Sequence, residues 1–215
     1  MTTDTDLTFY HSPRTRSSGA LALLEELDAS YRLHVLNMKI GEHKKPEYLA
    51  VNPLGKVPAI VHNGALVTEQ VAIYIYLADA FPQRKLAPAI GDPLRGPYLR
   101  WLAFYGSAFE PAVIDRYRKL DPGAPGMTPY GSFEAVMTLI ETQLAAGPWL
   151  FGERFTAADI LWGSALNWTS MFGIVEATPV ISGYIARVCE RDSFKNVAKT
   201  DAQLAAVHEA AAAKG

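Results

Sequence analysis

Asn52-Pro53-Leu54-Gly55-Lys56-Val57-Pro58-Ala59-Ile60-Val61-His62-Asn63-Gly64-Ala65-Leu66-Val67-Thr68 decides the architecture of the first third of the chain. Val57 to Val61 reads as a strand, yet Pro58 sits inside it. A proline has no N–H for a sheet ladder, so it belongs at an edge, an end or a bend. Asn63-Gly64 separates this run from Leu66–Thr68, and that dipeptide favours the positive φ values of a two-residue hairpin. Working back, Tyr31, Leu33 and Val35 alternate with Arg32 and His34, a strand pattern. Before it, Ala20, Leu23, Leu24 and Leu27 recur at helical spacing, with Ser17 or Ser18 as candidate caps. His11 to Ser18 is a polar turn, and Leu7 to Tyr10 a first strand. Strand, helix, strand predicts a parallel pair with a right-handed crossover. Working forward, Gly41 to Pro46 is a charged loop ahead of a short helix at 46–50, and Val71, Ile75 and Ala78 mark a long helix after the hairpin. The order is βαβ, then ββα.

Phe81 to Pro97 holds Pro82, Pro88, Pro93, Pro97 and Gly91, the composition of a linker. Everything beyond reads helical. Tyr98, Leu102, Tyr105 and Phe109 form one stripe, with Trp101 beside it; Phe133, Val136, Met137, Ile140 and Leu144 form another. Thr156-Ala157-Ala158-Asp159 is a capping box, which makes Asp159 a structural residue. Thr178-Pro179 opens the last major helix, through Ile181, Ile185 and Val188. The expected organisation is an α/β domain over residues 1–82, a linker at 83–92 and an all-α helical domain over 93–215.

The 215 residues are 49% hydrophobic and 20% charged, enough apolar content to fill a core, which excludes disorder as the main state. Twenty basic against 22 acidic residues leave a net charge of −2, so no general attraction for nucleic acid or anionic lipid exists. The single cysteine, Cys189, excludes an intrachain disulfide and a cysteine zinc cluster, and reads as a small buried hydrophobe. His11, His34, His43, His62 and His208 lack metal-ligand spacing on one helix, so no metal site is expected. Met1 to Asp6 carries no signal-peptide pattern. Ile160 to Val175, the longest uncharged run, falls short of the roughly 20 apolar residues of a membrane span. A soluble, cytoplasmic chain without nucleic-acid or membrane partners is expected.

A βαβ–ββα domain with a proline at the head of its third strand resembles thioredoxin; followed by an all-α domain, it resembles the soluble glutathione transferases, in particular proteobacterial members. Three stretches carry the resemblance. Asn52 to Pro58 is similar to the family's approach to a cis-proline. Thr68-Glu69-Gln70-Val71 resembles its glutathione-binding helix start, whose usual dipeptide is Glu-Ser. Gly147 to Ile160 matches the capping segment of its second domain.

The resemblance implies a site for glutathione, a tripeptide with a thiol, two carboxylates and an ammonium group. A thiol of pKa near 8.5 is only about 3% ionised at pH 7, and lowering it two units makes it about three quarters ionised. That shift corresponds to about 2.7 kcal/mol. A hydrogen bond to the sulfur anion supplies about 1.5–3 kcal/mol and a helix amino-terminus about 0.3–1, so no metal, resident cofactor or general base is required. Family members place Tyr, Ser, Thr or Cys in the first turn. Here the candidates are Thr15, with Ser17 and Ser12 as alternatives and Arg16 as a cation for the thiolate. Tyr10, on the strand, reads as core. By the same resemblance Gln70 binds the γ-glutamyl carboxylate, Glu69 meets its ammonium, and Val57 before a cis Pro58 pairs with the cysteinyl unit. Lys56, and more weakly His43, would meet the glycyl carboxylate.

An aromatic stripe at this spacing reads first as core; the part of it that faces a cleft between the domains would line a pocket for an apolar electrophile, drawing on Trp101, Tyr105, Phe109 and Arg116, with Trp168, Met171 and Phe172 as further wall. The implied function is conjugation of the thiolate to small hydrophobic electrophiles. Glutathione-dependent peroxide or disulfide reduction or isomerisation, and a non-catalytic glutathione-binding stress or regulatory module, are the alternatives. A homodimer is expected from the resemblance alone.

Overall fold

The computed structural model describes residues 6–213; all but the last residue of the Met1–Asp6 segment lies outside them. Strand β1 (Leu7–His11) is followed by helix α1 (Ser17–Glu26) and strand β2 (Arg32–Val35). Short helix α2 (Pro46–Leu49) precedes β3 (Ala59–His62), β4 (Ala65–Val67) and α3 (Gln70–Ala80). The sheet order is β2-β1-β3-β4, with β1 parallel to β2 and antiparallel to β3. The expected βαβ–ββα order is thus present. Pro58 stands just before β3, and the Val57–Pro58 bond is cis. Asn63 and Gly64 both take positive φ, 51° and 75°, as the hairpin requires.

Alternation along β1 buries Leu7 and Phe9, and Leu23, Leu24 and Leu27 of the α1 segment and Ile73 and Leu77 of α3 are likewise nearly without exposure. β2 is exposed along Arg32 to His34, an edge strand closed on one side only by β1.

Pro82–Arg84 forms a 3-10 turn, and Lys85 to Leu94 runs without regular helix or strand. Helices α4 (Arg95–Phe104), α5 (Glu110–Arg118), α6 (Phe133–Leu144), α7 (Ala157–Met171) and α8 (Pro179–Cys189) follow, with a π-helical turn at Tyr105–Phe109 joining α4 to α5. The caps predicted for α7 and α8 form. The Thr156 side chain accepts from the first turn of α7 while Asp159 accepts the Thr156 N–H at 2.8 Å, and the Thr178 hydroxyl accepts from Ile181. Gly163 on α7 is in contact range of α8. A Cβ there would lie 2.5 Å from Val188 Cγ1 and 2.8 Å from its Cβ. Gly163→Ala is expected to lower stability by about 1–3 kcal/mol in a urea titration, and a second change, Val188→Ala, to recover part of the loss. A Gly163→Ala midpoint equal to the parent's would show that the two helices separate freely.

A last helix, α9 (Asp192–Ala212), is absent from the sequence reading, which ended the major helices at α8. Its buried face carries Ser193, Val197, Asp201, Ala205 and His208, three of the five polar, so a search for apolar periodicity passes over it. The chain forms two compact units, residues 1–84 with 192–215, and residues 85–191. These differ from the expected spans 1–82, 83–92 and 93–215 chiefly because α9 packs on α1. Ser193 Oγ donates to Glu26 at 2.6 Å and Asn196 Nδ2 to Glu25 at 3.1 Å along that seam. Among the described residues no helix is long and apolar enough to cross a membrane.

Candidate active site

β1 ends at His11, and the chain reverses through Ser12–Arg16 into α1. Polar side chains close this turn. Ser17 Oγ, fully buried, lies 2.8 Å from His11 Nδ1 and 2.7 Å from Thr15 Oγ1. It accepts the Ser12 N–H at 3.1 Å and stands 3.0 Å from the Ser12 carbonyl. Thr15 Oγ1 is 2.8 Å from that same carbonyl and accepts the Ser17 N–H at 3.2 Å. Thr15 is half-buried, Ser12 buried and Arg16 exposed. The expected capping by Ser17 or Ser18 does not occur. Arg16 is the residue before the helix and makes no side-chain cap. Ser17 and Ser18 already lie inside it, where side chains lean back toward the amino-terminus. Ser17 therefore points into the turn, and Ser18 Oγ donates to Asp201 at 2.5 Å.

Asp201, on α9, is the residue that organises this turn. Its Oδ2 accepts the Arg14 N–H at 2.8 Å, and its Oδ1 lies 3.0 Å from His11 Nε2. Burial pushes this carboxyl up, but the hydrogen bonds from His11, Ser18 and the Arg14 N–H outweigh it and hold the group below the usual carboxylate range. Neither His11 nor Asp201 is among the residues singled out from sequence. The available signal was faint: Asp201 shares helical spacing with Val197 and Ala205.

His208, further along α9, is mostly covered, and its carbonyl accepts Asn37 Nδ2 at 3.3 Å. Burial holds its pKa below the ordinary value; Glu42 opposes the shift, and His11 and Lys39 add to it. A histidine depressed in the fold contributes stability that is fully present above the unfolded value of about 6.5 and lost as pH falls through the folded value. The urea midpoint is therefore expected to drop on acidification below about pH 6.5, and His208→Gln to flatten that dependence. An equal slope in the variant would exclude this origin.

Three further segments contribute. Gly55, at φ 61°, has no room for a side chain, since a Cβ would meet the His43 carbonyl at 2.5 Å. The loop that follows is pinned by two donors to the Lys56 carbonyl, Tyr48 Oη at 2.5 Å and Asn52 Nδ2 at 2.9 Å. Main-chain Val57 has no hydrogen-bonding partner among the described residues. Lys56 is exposed, and His43 lies near it; burial first, then the Lys44 and Lys56 charges, push the His43 pKa down. Glu69 precedes α3 at φ 63°, ψ 119°, a strained conformation of the kind that costs about 1–3 kcal/mol and collects at ligand sites. Gln70 opens α3, and its Nε2 donates to the Arg16 carbonyl at 3.3 Å, which ties the head of α3 to the head of α1. Tyr10 is half-buried between His34 and Tyr48, at ring distances of 5.0 Å and 5.4 Å, in line with a packing role.

In the helical unit, Trp101, Tyr105 and Phe109 are buried at 2%, 3% and 1% exposure. Their rings surround Trp162 at 5.5, 5.7 and 5.1 Å, and Trp162 Nε1 donates to the Trp101 carbonyl at 3.2 Å. Of the two readings of this stripe, core and electrophile pocket, these three residues take the core one. The π-helical turn brings Tyr105 and Phe109 inward together with Ala108. Arg116 is exposed, pairs with Glu134 at 3.7 Å and lies over the Phe133 ring. Trp168, Met171 and Phe172 are exposed at the end of α7. Cys189 is half-buried, and burial pushes its thiol up, so it is no activated nucleophile. Among the described residues no three His, Cys, Asp or Glu side chains converge to hold a metal ion.

The glutathione S-transferase N-terminal domain model matches residues 5–79, and the C-terminal domain model residues 130–187. Glutathione S-transferase GstA of Escherichia coli O157:H7 is 27% identical over 190 residues, 87% of this chain and 94% of its own. Glutathione S-transferase PARB of Nicotiana tabacum is 30% identical over 156 residues, 68% and 73% of the two chains. A solved glutathione transferase homologue from Sulfitobacter with bound glutathione superposes with a TM-score of 0.75 at 25% identity, covering 91% of this chain and 98% of that one. With both domain models matched in order, and with the thioredoxin-like sheet and helical second unit, the chain belongs to the glutathione S-transferase family.

Proposed function

We propose that this chain binds glutathione across the heads of α1 and α3 and conjugates its thiolate to small hydrophobic electrophiles. The observation that carries the reading is the Gln70–Arg16 hydrogen bond, which holds the hydroxyl-rich turn beside the amino-terminus of α3. A helix amino-terminus favours a carboxylate, so Gln70 and the first-turn amides of α3 suit the γ-glutamyl carboxylate, and the Glu69 carboxylate suits its ammonium. The unpaired main chain of Val57 suits the cysteinyl unit in an added-strand pairing. Lys56 would meet the glycyl carboxylate. Of the three candidate hydroxyls, Thr15 is the one with solvent exposure, whereas Ser12 and Ser17 are buried; this supports Thr15 as donor to the sulfur, with Arg16 adding positive charge.

Isothermal titration with glutathione tests the binding; no heat at millimolar concentration overturns it. An aromatic chloride, an organic peroxide and a mixed disulfide assayed side by side test the reaction. Turnover of the chloride is expected. Turnover of the peroxide or disulfide alone would replace conjugation by reduction while leaving glutathione as the co-substrate. Binding with an unshifted thiol pKa would make the chain a binding module. The family resemblance also leads us to expect twice the chain mass in light scattering.

A further inference from the structure

We infer that His11 is the internal acceptor of the glutathione thiol proton, reached through the hydroxyls of Thr15 and Ser17 and held in place by Asp201. This rests on the glutathione reading above. Four groups stand in hydrogen-bonded order: Thr15 Oγ1 to Ser17 Oγ, 2.7 Å; Ser17 Oγ to His11 Nδ1, 2.8 Å; His11 Nε2 to Asp201 Oδ1, 3.0 Å.

Proton positions follow from the carboxylate. Ionised Asp201 only accepts, and its Oδ2 already takes Ser18 and the Arg14 N–H. His11 must therefore carry its hydrogen on Nε2, which leaves Nδ1 as a lone pair in the neutral ring. That lone pair takes the Ser17 hydroxyl hydrogen. Ser17 Oγ, its hydrogen committed, accepts from Thr15. The Ser12 carbonyl is the competing acceptor for both hydroxyls, at 2.8 Å and 3.0 Å, and the Asp201–His11 pair decides between them. Thr15 Oγ1 is then left with a lone pair for an incoming S–H.

The step balances. The S–H bond breaks and its proton joins Thr15 Oγ1; the Thr15 proton moves to Ser17 Oγ; the Ser17 proton moves to His11 Nδ1. The electron pair stays on sulfur as thiolate. Every hydroxyl now points toward the sulfur, so the turn that took the proton also donates the stabilising hydrogen bond. The products are a thiolate at one end and an imidazolium against Asp201 at the other, with no change of net charge. Of the charged or titratable groups, Asp201 of α9 is bonded to His11 and takes the Arg14 N–H on its other oxygen, and His208 of α9 lies within electrostatic range of His11 and also of Lys39 and Glu42 after β2. Ser17, His11 and Asp201 share the residue types of a hydrolase triad. Ser17 is fully buried, however, with its oxygen surrounded by His11, Ser12 and Thr15, so no acyl group can reach it.

Proton release on binding is the test, because a merely structural role for His11 and Asp201 would not move it. Glutathione is titrated into the unmodified protein at pH 7 in buffers of different ionisation enthalpy, with thiolate followed by its ultraviolet absorbance. S-methylglutathione, which has no thiol proton, supplies the reference for all other protonation changes. Well under half a proton released per thiolate formed is expected, and one full proton would overturn the relay while leaving glutathione binding intact. His11→Gln and Ser17→Ala are expected to restore one proton per thiolate. If they keep the parent's low count, the relay is overturned. Asp201→Asn is expected to lower kcat at least several-fold with KM for glutathione within about twofold; Asp201→Glu should regain part of kcat. Equal losses in kcat and affinity, without that rescue, would reduce Asp201 to a structural role and overturn the assignment. Absence of binding overturns the parent reading instead, and binding without thiolate overturns both.

Discussion

Asp159→Ala is expected to destabilise the helical unit by about 3 kcal/mol or more, the largest stability effect foreseen for a single side chain here. Its carboxylate is wholly buried at the first turn of α7. It accepts the Leu150 N–H at 2.7 Å, the Thr156 N–H at 2.8 Å, the Thr156 hydroxyl at 3.2 Å and the Tyr184 hydroxyl at 2.9 Å. Removing the acceptor leaves these buried donors unpaired at about 1–3 kcal/mol each, less than additively, because the segment relaxes. Asn in its place presents an N–H₂ to donors and is expected to be nearly as damaging. Tyr184→Phe removes one donor alone, and a loss of only about 1 kcal/mol is expected. Denaturant unfolding of the three variants checks the order. An Asp159→Asn protein as stable as the parent would show that a carboxylate acceptor is not what this segment needs.

Thr15→Val carries the largest functional effect. Val keeps the β-branch and nearly the volume, and replaces only the hydroxyl. A hydrogen bond to a charged group contributes about 1.5–3 kcal/mol, or about 1–2 pKa units on the bound thiol. From a thiol lowered by about two units, that loss leaves about 3- to 25-fold less thiolate at pH 7. Turnover is expected to fall in proportion. Glutathione affinity should hold, because the proposed contacts to the peptide are those of Val57, Glu69 and Gln70. Thr15→Ser is expected to restore most of the loss. A bound thiol titrating alike in the parent and the Val variant would remove Thr15 from the thiolate site.

Local features of the fold were legible because each depends on residues a few positions apart. Asn63-Gly64 turns the hairpin whatever surrounds it, since both take positive φ. Thr156 and Asp159 close their capping box across three residues. Periodic apolar runs placed α1, α3, α6 and α8. Where the same spacing admitted two outcomes, the sequence left them open. The aromatic stripe of Trp101, Tyr105 and Phe109 can line a cleft or fill a core, and only the position of Trp162 resolved it as core. Ser17 at a helix start can cap or turn inward, and His11 and Ser12 drew it inward.

By itself the amino-acid sequence determined the element order of the first 80 residues, the hairpin, the caps of α7 and α8 and the family, because short-range hydrogen bonding and apolar periodicity are encoded within one or two turns of chain. The tertiary structure alone decided that α9 joins the first unit and that Asp201 meets His11, 190 residues away. No local rule pairs residues so distant. Their contact exists because a mostly polar helix face finds its acceptors and donors only after docking on α1, where burial makes each unpaired group costly.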